Sequence, residues 1–123
     1  MEEARRIITE WLDEGSPDVV LELAGLGLTE LPELPDELTI LDCSRNQITK
    51  LPDKLPDRLT ELYCHTNQLN KLPQLPDRLT TLDCDNNQLQ YPPSEIVSYK
   101  SLQEIKDWMH QHPYNMVKSA NKR

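Results

Sequence analysis

The sequence predicts an α/β solenoid: a short parallel sheet along one side, extended return arms along the other, and a helix covering each end. Three observations in the 123 residues carry this expectation: a repeat of 20 to 21 residues, Leu at fixed places in each repeat, and Pro concentrated in one half of it. The units LTILDCSRNQITKLPDKLPDR (38–58), LTELYCHTNQLNKLPQLPDR (59–78) and LTTLDCDNNQLQYPP (79–93) share the frame L-x-x-L-x-C-x-x-N-x-L-x-x-L-P-x-L-P. An earlier stretch, DVVLELAGLGLTELPELPDE (18–37), fits it with Leu26 where the later units have Asn46, Asn67 and Asn87, a departure that suits a first repeat. About four repeats are thus expected over residues 18–97. Ten Pro would ordinarily signal a linker, but seven of them (32, 35, 52, 56, 73, 76 and 92) fall at the two fixed sites of the repeat arm.

Each position in the frame has a physical task. Leu41 and Cys43, Leu62 and Cys64, and Leu82 and Cys84 are two apart, the period at which one side of an extended segment faces inward. Parallel strands are expected near 20–23, 40–43, 61–64 and 81–84. The Asn three residues after each Cys lies where the chain must leave the strand, and its carboxamide can bond backbone groups that have no ladder partner. The Leu-Pro-x-Leu-Pro that follows cannot be a regular helix, because Pro biases its predecessor toward extended or polyproline geometry. The arms are therefore narrow, and the strand side is left as the open surface.

A solenoid has an apolar end at each terminus that something other than a repeat must cover. In residues 1–17, Ala4, Ile7, Ile8, Trp11 and Leu12 recur at helical spacing over 2–14, and Gly15-Ser16-Pro17 stops the helix. In residues 98–113, Ser98 or Ser101 can cap a second helix with the apolar stripe Leu102, Ile105, Trp108 and Met109, ending before His112-Pro113. Both tryptophans are read as capping core. The last segment, 114–123, reads as a basic tail.

The L-P-x-L-P arm and the L-x-C-x-x-N strand exit resemble leucine-rich repeats over about residues 18–93. The arm is similar to the short bacterial type of type III secreted effectors, and the Cys variant is similar to repeats of giant DNA viruses. The resemblance implies a module that binds other proteins, in a host cytosol if it acts as such effectors do. Some effectors of this type carry a ubiquitin-ligase domain after the repeats; with about thirty residues after the last repeat, none is expected here.

Charge narrows the partner. The formal net charge is −8, with residues 1–97 at −11 and residues 98–123 at +3, which argues against nucleic acid or an anionic membrane. No apolar run approaches a membrane span and the N-terminus shows no signal peptide, so a cytoplasmic setting is expected. Cys43, Cys64 and Cys84 lie one repeat apart, in one internal column. Parallel in-register side chains fit disulfide geometry poorly, and no C-x-x-C pair is present for zinc, so they read as small buried apolar residues. His65 follows Cys64 and alternates to the opposite face, while His110 and His112 share no helix face. With no catalytic or metal-binding motif in the chain, we expect no enzyme, no cofactor and no metal.

The outward strand positions carry the functional expectation. One column reads Glu22, Asp42, Tyr63, Asp83; the column before it Val20, Ile40, Glu61, Thr81; the one after it Ala24, Ser44, His65, Asp85, flanked by Arg45, Thr66 and Asn86. The face is acidic, with Tyr63 at its centre and an apolar corner at Val20 and Ile40. Carboxylates around a Tyr anchor suit a partner with a basic protein surface. The expected binding set is Glu22, Ile40, Asp42, Arg45, Glu61, Tyr63, His65, Asp83 and Asp85. The plainer alternative is that these charges keep a sheet face soluble. A monomer is expected, with self-association through a cap or the tail as the rival arrangement.

Overall fold

The computed structural model describes residues 1–114. Four parallel strands, β1 (Leu21–Glu22), β2 (Ile40–Asp42), β3 (Glu61–Tyr63) and β4 (Thr81–Asp83), form one sheet in chain order. Leu41 lies opposite Leu21 and Leu62, and Leu62 opposite Leu82, so identical repeat positions stack. Strand order equal to chain order, with an extended arm between successive parallel strands, is the topology of a solenoid.

The inward stack makes the core. Leu21, Leu41, Leu62, Cys43 and Cys64 are fully buried, and Leu38, Leu59 and Leu79 close it where each unit begins. The arms contribute Leu51, Leu55, Leu72 and Leu75 from the other side.

Two polar ladders stitch the repeats together. At the strand exits, Asn46 Oδ1 accepts from the backbone N–H groups of Leu26 and Leu28 at 2.9 and 3.0 Å, while its Nδ2 donates to the carbonyls of Leu23 and Cys43. Asn67 and Asn87 repeat the pattern one and two units later. Each carboxamide satisfies buried groups of its own repeat and of the preceding one. At the strand entries, Thr60 Oγ1 donates to the Thr39 carbonyl at 3.1 Å, Thr80 Oγ1 to that of Thr60 at 3.2 Å, and Thr39 Oγ1 to that of Pro17 at 2.5 Å. The sequence reading overlooked this second ladder, although Thr follows Leu38, Leu59 and Leu79.

The N-terminal end is covered by α1 (Glu2–Glu14), which buries Ala4, Ile8 and Trp11 and stops at Gly15, in the left-handed region at φ 71°. Trp11 Nε1 donates to the Val19 carbonyl at 2.7 Å and fastens the helix to the first repeat. Leu12, placed on the apolar stripe by spacing, is instead 51% exposed.

The other end differs from the sequence expectation. Residues 94–97, read as the end of the last repeat, open a short helix, α2 (Ser94–Tyr99), because the fourth arm stops at Pro92-Pro93 without a second Leu-Pro. The capping helix α3 (Leu102–Gln111) then starts at Ser101, whose side chain and that of Glu104 form a reciprocal capping box. Only Ile105 of its stripe is buried. Trp108 is half-buried, stacked on the His112 ring at 4.3 Å. Tyr91, which spacing did not single out, is buried and donates from its hydroxyl to the His112 carbonyl at 2.8 Å. Lys106 Nζ donates to the carbonyls of Asp77 and Leu79 at 3.1 and 2.7 Å, supplying donors at the end of the stack. Of the expected basic tail 114–123, all but Tyr114 lies outside the described residues.

Candidate functional site

Strand pairing brings the outward side chains into rows. Glu22, Asp42, Tyr63 and Asp83 are register partners across the sheet, as are Ile40, Glu61 and Thr81. Neighbouring strands lie about 4.8 Å apart, so the four side chains of the first row span roughly 14 Å. Except for exposed Glu22, the members of both rows are half-buried.

Tyr63 is held in place: its hydroxyl donates to Glu61 Oε1 at 2.6 Å. That bond, followed by lost hydration and the charges of Glu61, Asp42 and Asp83, raises the phenol above its ordinary value and keeps it protonated. Asp42 works partly for the backbone. Its Oδ1 accepts from the Ser44 N–H at 3.0 Å and from the Ser44 hydroxyl, and Asp83 Oδ1 likewise accepts from the Asp85 N–H at 3.2 Å. Ser44, assigned by alternation to the open face, is therefore buried, because the chain turns there and its hydroxyl is drawn back to Asp42.

The turn itself has a fixed geometry. Arg45, Thr66 and Asn86 all adopt φ 56°, the left-handed region that L side chains resist, Thr most of all. The signal was in the sequence, since Gly25, at φ 69°, occupies the equivalent place in the first repeat. This turn swings Arg45 to the rim, where it is exposed, and sets His65 Nδ1 at 3.0 Å from Thr66 Oγ1. Asp85 is exposed at the same rim. Among the described residues, no ion pair involves Glu22, Asp42, Glu61, Asp83 or Asp85, the pairs formed being Arg6 with Glu3 and Glu10, Lys50 with Asp53 and Lys100 with Glu104.

Behind the face, Cys43, Cys64 and Cys84 are buried free thiols. Burial pushes Cys43 up to about 12 and Cys84 to about 11, and Cys64 also moves well above the ordinary value of 9.0. The folded chain thus keeps thiol protons that the unfolded chain releases, so this contribution to stability is present below about pH 9 and is lost as pH rises from 9 toward 11–12. The limiting slope is about 1.4 kcal/mol per pH unit for each thiol. Urea titrations at pH 7.5, 9.5 and 10.5 should show this fall, and it should shrink in Cys64→Ala. Among the described residues, no group of three or more His, Cys, Asp or Glu is placed to hold a metal ion, and no helix is long and apolar enough to cross a membrane.

A four-strand parallel stack with extended Leu-Pro arms and an Asn ladder is a leucine-rich-repeat solenoid. The family model for the leucine rich repeat matches residues 37–57 and 78–99. The repeats are of the short bacterial L-P-x-L-P type. Among solved structures, YopM from Yersinia enterocolitica WA-314 is similar, with 43% identity and a TM-score of 0.66 over 72% of this chain. The match spans 19% of that longer protein. No curated protein matches the chain.

Proposed function

We propose that the chain is a non-catalytic interaction module that binds a protein partner with a basic surface through its strand face. The observation that carries this reading is the set of five carboxylates that form no ion pair among the described residues, Glu22, Asp42, Glu61, Asp83 and Asp85, on the face where Glu61 holds the Tyr63 ring. A fixed aromatic ring offers contact area at little entropic cost, and unneutralised carboxylates steer and select a cationic partner. Ile40 supplies an apolar edge, and Arg45 and His65 lie at the rim. Three buried free thiols suit a reducing setting, and we place the module in the cytosol, that of a host if it is delivered as effectors of this repeat type are.

The test is affinity capture followed by Kd measurement on the recovered partner. A triple variant, Asp42→Asn, Glu61→Gln and Asp83→Asn, keeps the oxygen acceptors of the turns and removes three charges. We expect it to weaken binding at least tenfold at 50 mM salt, with a smaller difference at 500 mM because screening already removes much of the attraction. Tyr63→Ala should weaken binding by a similar factor at both salt concentrations. Undiminished affinity in both variants would show that the partner sits elsewhere.

A further inference from the structure

We propose that the cleft between the third return arm and α3 docks an extended, acid-flanked Leu-Pro peptide from another protein, in the place that the fourth arm leaves vacant. The arms stack in register just as the strands do, with Lys71 bridged to Tyr91 and Lys54 bridged to Gln74, both in parallel. The third arm runs Leu72-Pro73-Gln74-Leu75-Pro76, whereas the fourth has only Tyr91-Pro92-Pro93 before α2 begins at Ser94. Among the described residues, the bridge row Lys54–Gln74 therefore has no third member.

A cleft of about 390 Å³ opens at that point, with Leu72, Pro73, Gln74 and Leu75 on one side and Tyr91 and Met109 among the residues facing them. Its size is within the range of built binding sites. No strand residue lines it, so the inference does not depend on the reading of the strand face.

The vacated position specifies the backbone of the occupant. An extended segment can continue the arm stack beside Gln74, and a Leu-Pro pair suits a row that already stacks Leu and Pro with few backbone N–H groups to satisfy. Pro also holds such a peptide near its bound shape before docking, which lowers the ordering cost. Charge specifies the flanks. In a chain whose first 97 residues sum to −11, the cleft gathers Lys106 and Lys71, whose Nζ lies 4.3 Å over the Tyr114 ring, against one carboxylate, Asp53, which Lys50 approaches at 3.5 Å. Lys106 Nζ has two of its three donors on carbonyls and one left for a carboxylate.

The chain's own first arm, LPELPDE (31–37), has the required chemistry and serves as the probe. Titrated as a synthetic heptapeptide into the isotope-labelled full chain, it should produce saturable amide shifts at Gln74, Leu75, Met109 and His110, with Tyr63 and Asp83 unmoved. A peptide with Lys at each acidic position should bind at least fivefold more weakly. Met109→Glu should weaken the acidic peptide at least tenfold, and His110→Glu, on the exposed side of α3, gives an independent reading should the first variant fold poorly. The proposal fails if no shift saturates, if both peptides bind alike, or if the shifts centre on Tyr63. It fails equally if the free chain shows the cleft already filled by its own residues 115–123 or, in a dilution series, by a second copy.

Discussion

Replacing Asn67 with Ala is expected to lower the unfolding free energy by about 2–3 kcal/mol, among the largest effects of any single polar substitution in this chain. Asn67 is 8% exposed. Its Oδ1 accepts from the Ile48 N–H at 3.0 Å, and its Nδ2 donates to the carbonyls of Cys43 and Cys64 at 3.1 Å and of His65 at 3.2 Å. Alanine meets none of these groups: the Ile48 N–H is left bare at a cost of about 1–3 kcal/mol, while the carbonyls of Cys43, Cys64 and His65 each lose one donor and keep another, from Asn46 Nδ2, Asn87 Nδ2 and the Arg45 N–H. Two of the four, from Ile48 and Cys43, belong to the preceding repeat, so the loss falls on the contact between neighbours that holds a solenoid together. A melting-temperature drop of about 10 °C or more should follow. Urea and thermal denaturation by circular dichroism will measure it, and a loss below about 1 kcal/mol would mean that water replaces the carboxamide. Asn67→Asp should fail nearly as badly, because the carboxylate keeps the acceptor but lacks the three-way donor.

Trp11→Ala is expected to cost about 3–5 kcal/mol and to make the chain associate. The indole is 8% exposed and belongs to the same apolar cluster as Leu21 and Leu23, and its Nε1–H holds the Val19 carbonyl at 2.7 Å. Without it α1 loses its anchor, and the apolar end of the first repeat becomes a surface on which another chain can stack. Trp11→Phe keeps most of the packing and loses the hydrogen bond, so an intermediate stability is expected. A thermal melt read alongside light scattering tests both halves of the statement. A monomeric Trp11→Ala melting within a few degrees of the parent chain would show that α1 is dispensable as a cap.

The regular part of the molecule was legible because its physics is local and repeated. Cys43, Cys64 and Cys84 one period apart mark the inner column of the sheet, and the Asn residues three places later had to serve unpaired backbone groups wherever the strands ended. Alternation likewise placed Asp42, Tyr63 and Asp83 in one outward row, which the strand register shows. Alternation did not foresee the burial of Ser44, because the left-handed turn at Arg45 ends the period of two and the hydroxyl is held against Asp42. The Thr ladder was within reach of the sequence, but a Thr that follows Leu reads as ordinary strand chemistry until its partner in the next repeat is seen. At the end of the chain the periodicity stops. Nothing in the spacing showed that Tyr91 would turn inward to meet the His112 carbonyl, or that Lys106 would close the carbonyls of Asp77 and Leu79.

From the sequence alone come the repeat class, the strand register, the acidic row and the absence of an obvious catalytic constellation, since each follows from residue type at a fixed spacing. The tertiary structure alone decided which acidic groups form ion pairs among the described residues, how Glu61 holds the Tyr63 ring, and where the truncated fourth arm leaves a cleft against α3. These depend on contacts between residues whose separation obeys no period. An interrupted pattern announces where a solenoid stops, but only the packing of its cap determines what surface is left open there.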